Sequence, residues 1–356
     1  MIVWTGLLLT ILLIKLMMGD IETEKEKKIF LILSALAVIF VYGSRNAVIY
    51  YGTDLNNYYR IFVAATQLSW GDFLKTETVD IGYLILNKAV ASIITWPQFI
   101  VFFAGAAITG LLFRFLYKNV NDVFLGVLVF LSMGTFGFFL TAFRQSLAIV
   151  LCLWAFEYIK EKKLFKFVLV VLLAATFHQT AIIFLPFYFL GNRKATRFNT
   201  VLTFGGFFIA VFFTEILLNW GNDIFDREFI LRGSESAIGG IINIVVFLGT
   251  LIAGGTYLQL NKDNEAADKI KILFQMLLLG TGIYFMRFQA LVMERVAFYY
   301  LPAIIALLPN MLKEVKADTG RRDWHLIIIS FCIFIYLWRF FNYPYDYVFF
   351  WRFTVV

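Results

Sequence analysis

The chain has 356 residues, of which 61% are hydrophobic, 19% are aromatic and only 15% are charged. So few charges cannot cover the surface of a soluble domain of this length, so the composition excludes an ordinary soluble protein. The net charge of +7 does not indicate a nucleic-acid partner, because membrane proteins concentrate Lys and Arg in their cytoplasmic loops. We therefore predict an all-α, polytopic integral membrane protein that binds no nucleic acid.

The N-terminal run "WTGLLLTILLIKLMM" lacks the basic region and the cleavage site of a signal peptide, so it predicts an ordinary span. A second span is predicted at residues 29–43. We interpret residues 44–96, which are mixed in polarity and rich in tyrosine, as an external loop with amphipathic segments. Its short segment 81–94 is interrupted by polar residues and should not cross the membrane. The whole chain, 1–356, then forms a single membrane domain.

Basic residues cluster in five short segments, which the positive-inside rule assigns to the cytoplasmic side. These clusters are Lys25/Lys27/Lys28, Lys160/Lys162/Lys163/Lys166, Arg193/Lys194/Arg197, Lys262/Lys269/Lys271 and Lys313/Lys316/Arg321/Arg322. An even number of crossings must separate any two of them. Further spans are predicted at 97–117, 122–140, 144–160, 198–219, 240–260, 270–286, 294–312 and 323–341. The predicted total is about 12 transmembrane helices, with both termini outside.

The run "LFKFVLVVLLAATFHQTAIIFLPFYFL", residues 164–190, has basic residues on both sides. It should therefore enter the membrane and return, as two short helices or as a re-entrant pair. The turn then falls at "TFHQ", residues 176–179, and His178 lies at the outer tip. The alternative is one long, tilted helix, which 27 residues also fit.

With this topology, polar residues from distant segments come together at or near the external face. Several arginines on one face indicate an anionic ligand, because the guanidinium group matches phosphate oxygens and stays charged. A carboxylate and a histidine among them are natural groups for proton transfer. The candidate site residues are Arg45, Asp54, Tyr58, Tyr59, Arg60, Arg144, Gln145, His178, Arg287, Glu294 and Arg295.

Each of these features also has a structural interpretation. Residues 44–62 suit an interfacial amphipathic helix with an aromatic belt, and Arg144–Gln145 suits an interface anchor. Arg287, Glu294 and Arg295 suit structural ion pairs, and His178 suits a hydrogen-bonded core histidine. The chain has no nucleotide-binding loop, dinucleotide fingerprint or zinc motif, so we predict no cofactor and no metal.

The block "FRQSLAIVLCLWAFEYIKEKKLFKFVLVVLLAATFHQTAIIFLPFYFL" resembles the core signature of the EpsG family of bacterial exopolysaccharide proteins. Its pattern is an Arg-Gln pair that opens a span, a short basic loop, and an apolar run broken by Phe-His. Upstream, "SRNAVIYYGTDLNNYYRIF" is similar to the Arg…Gly-x-Asp…Tyr stretch of the family. Downstream, "MERVAFYYLP" and "NYPYDYVF" are similar to its later segments. Asp80 stands where we expect a glutamate.

The resemblance implies a Wzy-like polymerase in the bacterial cytoplasmic membrane, with its active site facing outside. Its substrates would be oligosaccharide repeat units linked to undecaprenyl pyrophosphate, and its partners would include a chain-length regulator and a flippase. The leaving pyrophosphate supplies the energy, so the reaction requires no nucleotide. The alternatives are a flippase or transporter of the same lipid-linked units, or a membrane acyltransferase that modifies the glycan.

For this reaction we assign hypothetical roles to the candidate residues. Arg144, with Arg45 or Arg295, binds the donor pyrophosphate and stabilises its charge as it leaves. His178 or Asp54 is the base that removes the proton of the acceptor hydroxyl, and an imidazole titrates near neutral pH. Aromatic side chains of the external loop stack on sugar faces; the candidates are Tyr58, Tyr59 and Trp70.

Overall fold

The computed structural model describes residues 2–48, 54–76, 79–191, 215–216, 219–220, 237–261, 265–314, 321–342 and 347–351. Helices dominate this part of the chain. In the first half they are α1 (Ile2–Met18), α2 (Glu24–Gly43), α3 (Asp54–Gln67), α4 (Trp70–Thr76), α5 (Ile81–Ala91), α6 (Phe99–Asn119), α7 (Val123–Ser132), α8 (Thr135–Thr141), α9 (Phe143–Lys160), α10 (Leu164–Phe177) and α11 (Phe187–Gly191). In the second half they are α12 (Ala237–Leu260), α13 (Glu265–Phe285), α14 (Val292–Ala297), α15 (Ile304–Glu314) and α16 (Arg321–Asn342).

The predicted all-α membrane architecture is confirmed, but the expected count of about 12 spans is not supported. Four helices in the described residues are long and apolar enough to cross a membrane, and a fifth candidate is a bent pair. The four are Phe99–Asn119, Gly240–Leu260, Asp268–Phe288 and Arg322–Asn342. Other apolar runs are too short, too polar or broken, so hydropathy alone overcounts them. The span predicted at 198–219 falls almost wholly outside the described residues.

The span predicted at 122–140 is the bent pair, because α7 and α8 meet at an angle of 60°. The bend lies at Gly134, whose φ of +82° is a left-handed conformation that glycine adopts without strain. A broken helix in an apolar environment leaves carbonyl groups that need donors. Arg339 Nε donates to the Ser132 carbonyl at 3.0 Å. A side chain of α16 therefore stabilises the bend. At the other end of α8, Tyr42 and Arg45 donate to the carbonyls of Phe139 and Leu140.

The run 164–190 doubles back on itself, as its basic flanks predict. Helix α10 ends at Phe177, and a 3₁₀ helix, Gln179–Phe184, leads to α11. The rings of Phe167 and Tyr188 lie only 5.2 Å apart, whereas one straight helix would separate them by about 30 Å. The alternative of a single tilted helix is therefore wrong. His178, in extended backbone with φ −157°, is the residue at which the direction changes.

Helices α3, α4 and α5 form the region predicted to be amphipathic and external. Helix α5 has 11 residues and reaches about 16 Å, too short for a hydrocarbon core of about 30 Å. The buried Lys88 fastens α5 to α3, because its ammonium group donates to the Ala65 carbonyl at 2.8 Å and also to the Leu68 carbonyl. These carbonyls lie in the last turn of α3 and just beyond it, where a helix lacks donors of its own.

Lysines from three of the basic clusters lie together at one end of the helix bundle, which we call the basic end. Lys28 Nζ lies 5.5 Å from the ring of Tyr117, and Lys269 Nζ donates to the Lys118 carbonyl at 3.3 Å. Lys160 Nζ donates to Asn119 at 2.7 Å. Because α2, α9 and α13 each run from this end to the other or back, their opposite termini meet at the far end. The sequence predicts this segregation of the basic loops.

Candidate functional site

Arg144 and Asp80 form an ion pair at the end of the bundle opposite the basic end. Arg144 lies in the first turn of α9, and Asp80 immediately precedes α5. Arg144 Nη1 lies 2.8 Å from Asp80 Oδ2, and the Asp80 side chain is only 2% exposed. The other carboxylate oxygen, Oδ1, accepts the backbone N–H of Gln179 at 3.2 Å. One buried carboxylate therefore holds the start of α9 and the tip of the hairpin together.

The close approach of α5 to the hairpin depends on a glycine. A Cβ atom on Gly82 would lie 2.3 Å from the hydroxyl oxygen of Thr176 and 2.8 Å from the Thr176 carbonyl oxygen. Real Cβ atoms essentially never come so close to other atoms, so a side chain at this position would force the hairpin to move. The absence of a side chain at Gly82 lets Asp80 reach the backbone beside His178.

His178 is half-buried at the turn between α10 and the 3₁₀ helix. Its Nδ1 atom lies 3.3 Å from the hydroxyl oxygen of Thr180. That oxygen in turn lies 3.0 Å from the hydroxyl of Tyr299, which is fully buried. The histidine is thus hydrogen-bonded, as the core interpretation expects, and it is also adjacent to the residue that Asp80 binds.

A cavity of ≈ 390 Å³ lies beside the Arg144–Asp80 pair. It is lined by Asp54, Asn57, Tyr58, Arg60, Ile61, Ala64, Val79 and Arg144. Two guanidinium groups and one carboxylate face an otherwise mixed wall, and the volume suits a small polar ligand or a headgroup. Asp54 and Arg60 are exposed on α3, whereas Arg144 is half-buried. Four of the predicted site residues therefore meet at this cavity.

Tyr58 contributes to the cavity wall from inside the protein. It is only 5% exposed, and its ring stacks on Phe143 with centroids 4.8 Å apart. The ring of Tyr83 meets it in a T-shaped arrangement at 5.5 Å. The ring of Tyr58, which the sequence analysis expected to stack on sugars, therefore packs against Phe143 and Tyr83 instead. Tyr59 is half-buried and Trp70 is 46% exposed, so Trp70 is the more accessible ring.

Arg45 lies in the core and not among the residues that line the cavity. It is 7% exposed and packs over the rings of Tyr42 and Phe143, at 4.8 Å and 5.7 Å. It donates to the carbonyls of Tyr42 and Leu140. An isolated antiparallel bridge joins its backbone to Phe349 near the C-terminus. These contacts give Arg45 a structural role at the end of α8.

A second polar cluster, at the same end of the bundle, contains Arg287 and Glu294. Arg287 Nη2 lies 3.1 Å from Glu294 Oε2, and Nη1 donates to the Tyr284 hydroxyl at 3.0 Å. Asn243 donates to the same hydroxyl at 2.9 Å and accepts from Arg339 at 2.6 Å. Burial raises the pKa of Glu294, which lies between spans, and the charge of Arg287 opposes that rise. We call these five residues the closed cluster, because Arg287 is only 4% exposed.

Gln145 and Arg295 connect the start of α9, beside the cavity, to α14, which carries Glu294 of the closed cluster. Gln145, which is 3% exposed, donates to the backbone carbonyl of Arg295 at 2.8 Å. The Arg295 side chain is exposed. The link runs from the start of α9, beside Arg144, to α14. Gln145 therefore acts as a spacer between the cavity and the closed cluster.

Sequence reasoning placed Asp80 on the outer face but did not assign it to the site, and it missed Thr180, Tyr299 and Arg339. An arginine inside the apolar run "IFIYLWRFF" was the available signal for Arg339. Thr180 and Tyr299 gave none, because each is one of many hydroxyl groups in apolar runs. In the described residues, no group of three or more His, Cys, Asp or Glu side chains is arranged to hold a metal ion.

Together, the apolar helices, the paired charges and the cavity at one end define a polytopic membrane protein with a polar site near one surface. The chain belongs to the EpsG family, whose model matches residues 28–354, nearly the full length. The predicted resemblance is thereby confirmed. Comparison with curated proteins and with solved structures gave no match.

Proposed function

We propose that the protein is a polymerase of lipid-linked oligosaccharide repeat units in exopolysaccharide, capsule or O-antigen synthesis. Membership of the EpsG family supports a Wzy-like role in polysaccharide synthesis. The observation that carries the proposal is the cavity, which Arg60, Arg144 and Asp54 all line. Two guanidinium cations suit a pyrophosphate, and a nearby carboxylate suits proton removal from a sugar hydroxyl.

The positive-inside rule supports an orientation with the basic end in the cytoplasm. The cavity, at the opposite end, then faces the outside of the bacterial cytoplasmic membrane. Undecaprenyl pyrophosphate-linked units would reach it after a flippase has moved them across the membrane. A chain-length regulator would act on the same growing polymer.

In the proposed reaction, the bond between the anomeric carbon of the donor sugar and its pyrophosphate oxygen breaks. A hydroxyl oxygen of the acceptor unit forms the new bond to that carbon, and its proton passes to a carboxylate or imidazole. The lipid pyrophosphate leaves as an anion, with the electron pair of the broken bond. Arg144 and Arg60 stabilise that anion, and Asp54 or His178 takes the proton.

The test is complementation of a strain from which the gene has been deleted. We expect Arg144→Ala and His178→Ala to abolish long polymer when they are expressed at normal levels. Arg114→Ala is the matched control, because Arg114 packs over Trp154 on α9, away from the cavity lining. It should support normal polymer length.

Two other outcomes separate the alternatives. Normal polymer from both the Arg144 and His178 variants would refute the proposed site. In cells that lack the protein, a polymerase defect leaves single lipid-linked units accessible to a glycosidase added outside, whereas a flippase defect leaves them protected. A glycan of normal length that lacks only its acyl groups would identify an acyltransferase.

A further inference from the structure

The ring of Tyr58 is packed against other rings, which leaves its hydroxyl group as the part that can meet a ligand. The ring stacks on Phe143 with centroids 4.8 Å apart, and it meets Tyr83 in a T-shaped arrangement at 5.5 Å. Only 5% of Tyr58 is exposed, yet the residue lines the cavity. Because neighbouring rings cover most of its aromatic surface, a ligand in the cavity reaches Tyr58 through the hydroxyl.

Two charged residues of the cavity act on the Tyr58 hydroxyl. Burial raises the pKa of Tyr58, and the carboxylate of Asp54, one turn earlier on α3, raises it further. The charge of Arg144 and hydrogen bonds from its side chain and backbone N–H lower that pKa. The net shift is upward from an ordinary pKa of about 10, so the phenol keeps its hydrogen at neutral pH.

The position of Arg144 decides where that hydrogen points. A guanidinium group and a backbone N–H have donors and no acceptor, so they meet the oxygen of the hydroxyl and not its hydrogen. Asp54 acts on the hydroxyl through its charge, and no described residue accepts a hydrogen bond from Tyr58. The hydrogen is therefore available to a ligand in the cavity, beside the N–H groups of Arg144.

We propose that the Tyr58 hydroxyl binds the pyrophosphate group of the lipid-linked donor, as a hydrogen-bond donor next to the Arg144 guanidinium. This role rests on the proposed polymerase function. Phosphate oxygens accept from phenol and guanidinium groups alike, and a hydrogen bond to a charged oxygen is stronger than a neutral one. The hydroxyl keeps its proton during the reaction, and no covalent bond to Tyr58 forms or breaks.

The packing of Tyr58 suits a binding group that is in place before the substrate arrives. Phe143 immediately precedes Arg144, so the stack of Tyr58 on Phe143 holds the hydroxyl of α3 near the guanidinium group of α9. A side chain that is already fixed loses little conformational entropy when a ligand binds. The two donors therefore form one preorganised anion site that is built from two helices.

The binding test uses the purified full-length protein in detergent and farnesyl pyrophosphate, a short isoprenoid pyrophosphate that carries no sugar. Tyr58→Phe keeps the ring and its stacking but removes the hydroxyl. We expect it to weaken the affinity in calorimetry about tenfold to 100-fold, which is the contribution of a hydrogen bond to a charged group. Tyr83→Phe is the matched control, because Tyr83 is fully buried and does not line the cavity. It should keep the wild-type affinity.

Equal affinities of the wild-type protein and Tyr58→Phe would overturn the role of Tyr58. If the wild-type protein did not bind farnesyl pyrophosphate at all, both the role of Tyr58 and the pyrophosphate site would be wrong.

A ring-fluorinated tyrosine at position 58 separates a donor to the ligand from a group that only supports Arg144. Fluorine beside the hydroxyl makes the phenol more acidic, so the hydroxyl donates more strongly and accepts more weakly. The matching fluorinated phenylalanine at the same position corrects for the size of the fluorine atom. At slightly acidic pH, fluorination should raise the affinity for farnesyl pyrophosphate when the hydroxyl is present, relative to this control. A decrease would show that the hydroxyl only accepts from Arg144, and would overturn the proposal.

The polymerisation assay separates the role of Tyr58 from the polymerase function. Tyr58→Phe should lower polymer synthesis about tenfold to 100-fold without a change in the unfolding temperature, whereas Tyr83→Phe should leave synthesis unchanged. If Tyr58→Phe weakened binding but made normal polymer, the bond would stand and the polymerase assignment of the cavity would fail. If its binding were unchanged while Arg144→Ala abolished polymer, the polymerase function would stand and the role of Tyr58 would fail.

Discussion

Two arginine–carboxylate pairs lie at the same end of the molecule and differ in what surrounds them. Arg144 and Asp80 border a cavity, and the Arg144 side chain is 23% exposed. Arg287 and Glu294 are tied to Tyr284, and the Arg287 side chain is 5% exposed. A ligand can reach the guanidinium group of Arg144, whereas the guanidinium group of Arg287 is bonded to Glu294 and Tyr284 inside the protein. The same pair of residue types therefore serves as a site in one place and as a brace in the other.

The largest expected effect is on the brace. Arg287→Ala leaves the half-buried Glu294 without its charged partner. Removal of one member of a buried pair costs about 3–5 kcal/mol, which is the upper bound for this partly buried one. We expect a large drop in the thermal unfolding temperature in detergent. The double variant Arg287→Ala/Glu294→Gln removes both charges and should recover part of the loss. An unchanged unfolding temperature for the single variant would show that the pair contributes nothing to stability.

The next effect concerns the site. Arg144→Lys keeps a cation beside Asp80 but loses the two-pronged donor geometry that suits phosphate. Activity should fall about 100-fold in an assay of polymer synthesis, while the unfolding temperature stays close to wild type. If Arg144→Lys lowered stability as much as Arg287→Ala, both pairs would be braces, and the contrast between them would disappear.

Two glycines allow a matched comparison of intermediate size. A Cβ on Gly240 would lie 1.8 Å from Arg287 Nη1, and a Cβ on Gly82 would lie 2.3 Å from the Thr176 hydroxyl oxygen. Forcing a methyl group into either place costs about 1–3 kcal/mol. We expect Gly240→Ala to lower stability with little specific loss of activity. Gly82→Ala should lower activity more than stability, because it moves the hairpin away from Asp80.

Gly71→Ala is the control for both glycine variants, since a Cβ there meets nothing within 4 Å. It should be neutral or slightly stabilising, because alanine favours a helix more than glycine does. Equal losses of activity from Gly82→Ala and Gly240→Ala would argue against separate roles for the two regions.

The smallest expected effect distinguishes two exposed arginines. Arg60 lines the cavity and Arg295 does not. Arg60→Ala should weaken activity about tenfold through the loss of one charge contact, which is equivalent to about 1.4 kcal/mol. Arg295→Ala should leave it within about twofold, since Gln145 binds the backbone of Arg295 and not its side chain. Added salt should reduce the difference between the variants if the charge acts through solvent.

Some of this organisation follows from the sequence. The distribution of Lys and Arg among the loops predicts the reversal at residues 176–179. It also predicts that the basic loops gather at one end. The family resemblance rests on the same residues. The predicted span count is not supported because α1, α10 and the apolar segment Leu301–Lys313 are each shorter than 18 residues. A hydropathy profile cannot show where the helix within an apolar run ends.

The individual arginines show a second limit. Arg45 and Arg144 look alike in the sequence, each at the edge of an apolar run. Arg45 donates to the Leu140 carbonyl at the end of α8, and Arg144 lines a cavity. Which of these happens depends on where helices from distant parts of the chain end. Thr180 and Tyr299, 119 positions apart, meet for the same reason.

The bend between α7 and α8 bears on how the protein is assembled during translation. Its Ser132 carbonyl receives a hydrogen bond from Arg339, some 200 residues later in the chain. Helix α16 also binds α1 through the Tyr336 hydroxyl, which donates to the Trp4 carbonyl at 2.9 Å. The N-terminal helices are therefore synthesised before α16, whose side chains supply these hydrogen bonds. We expect chains truncated before residue 321 to be held by membrane chaperones or degraded.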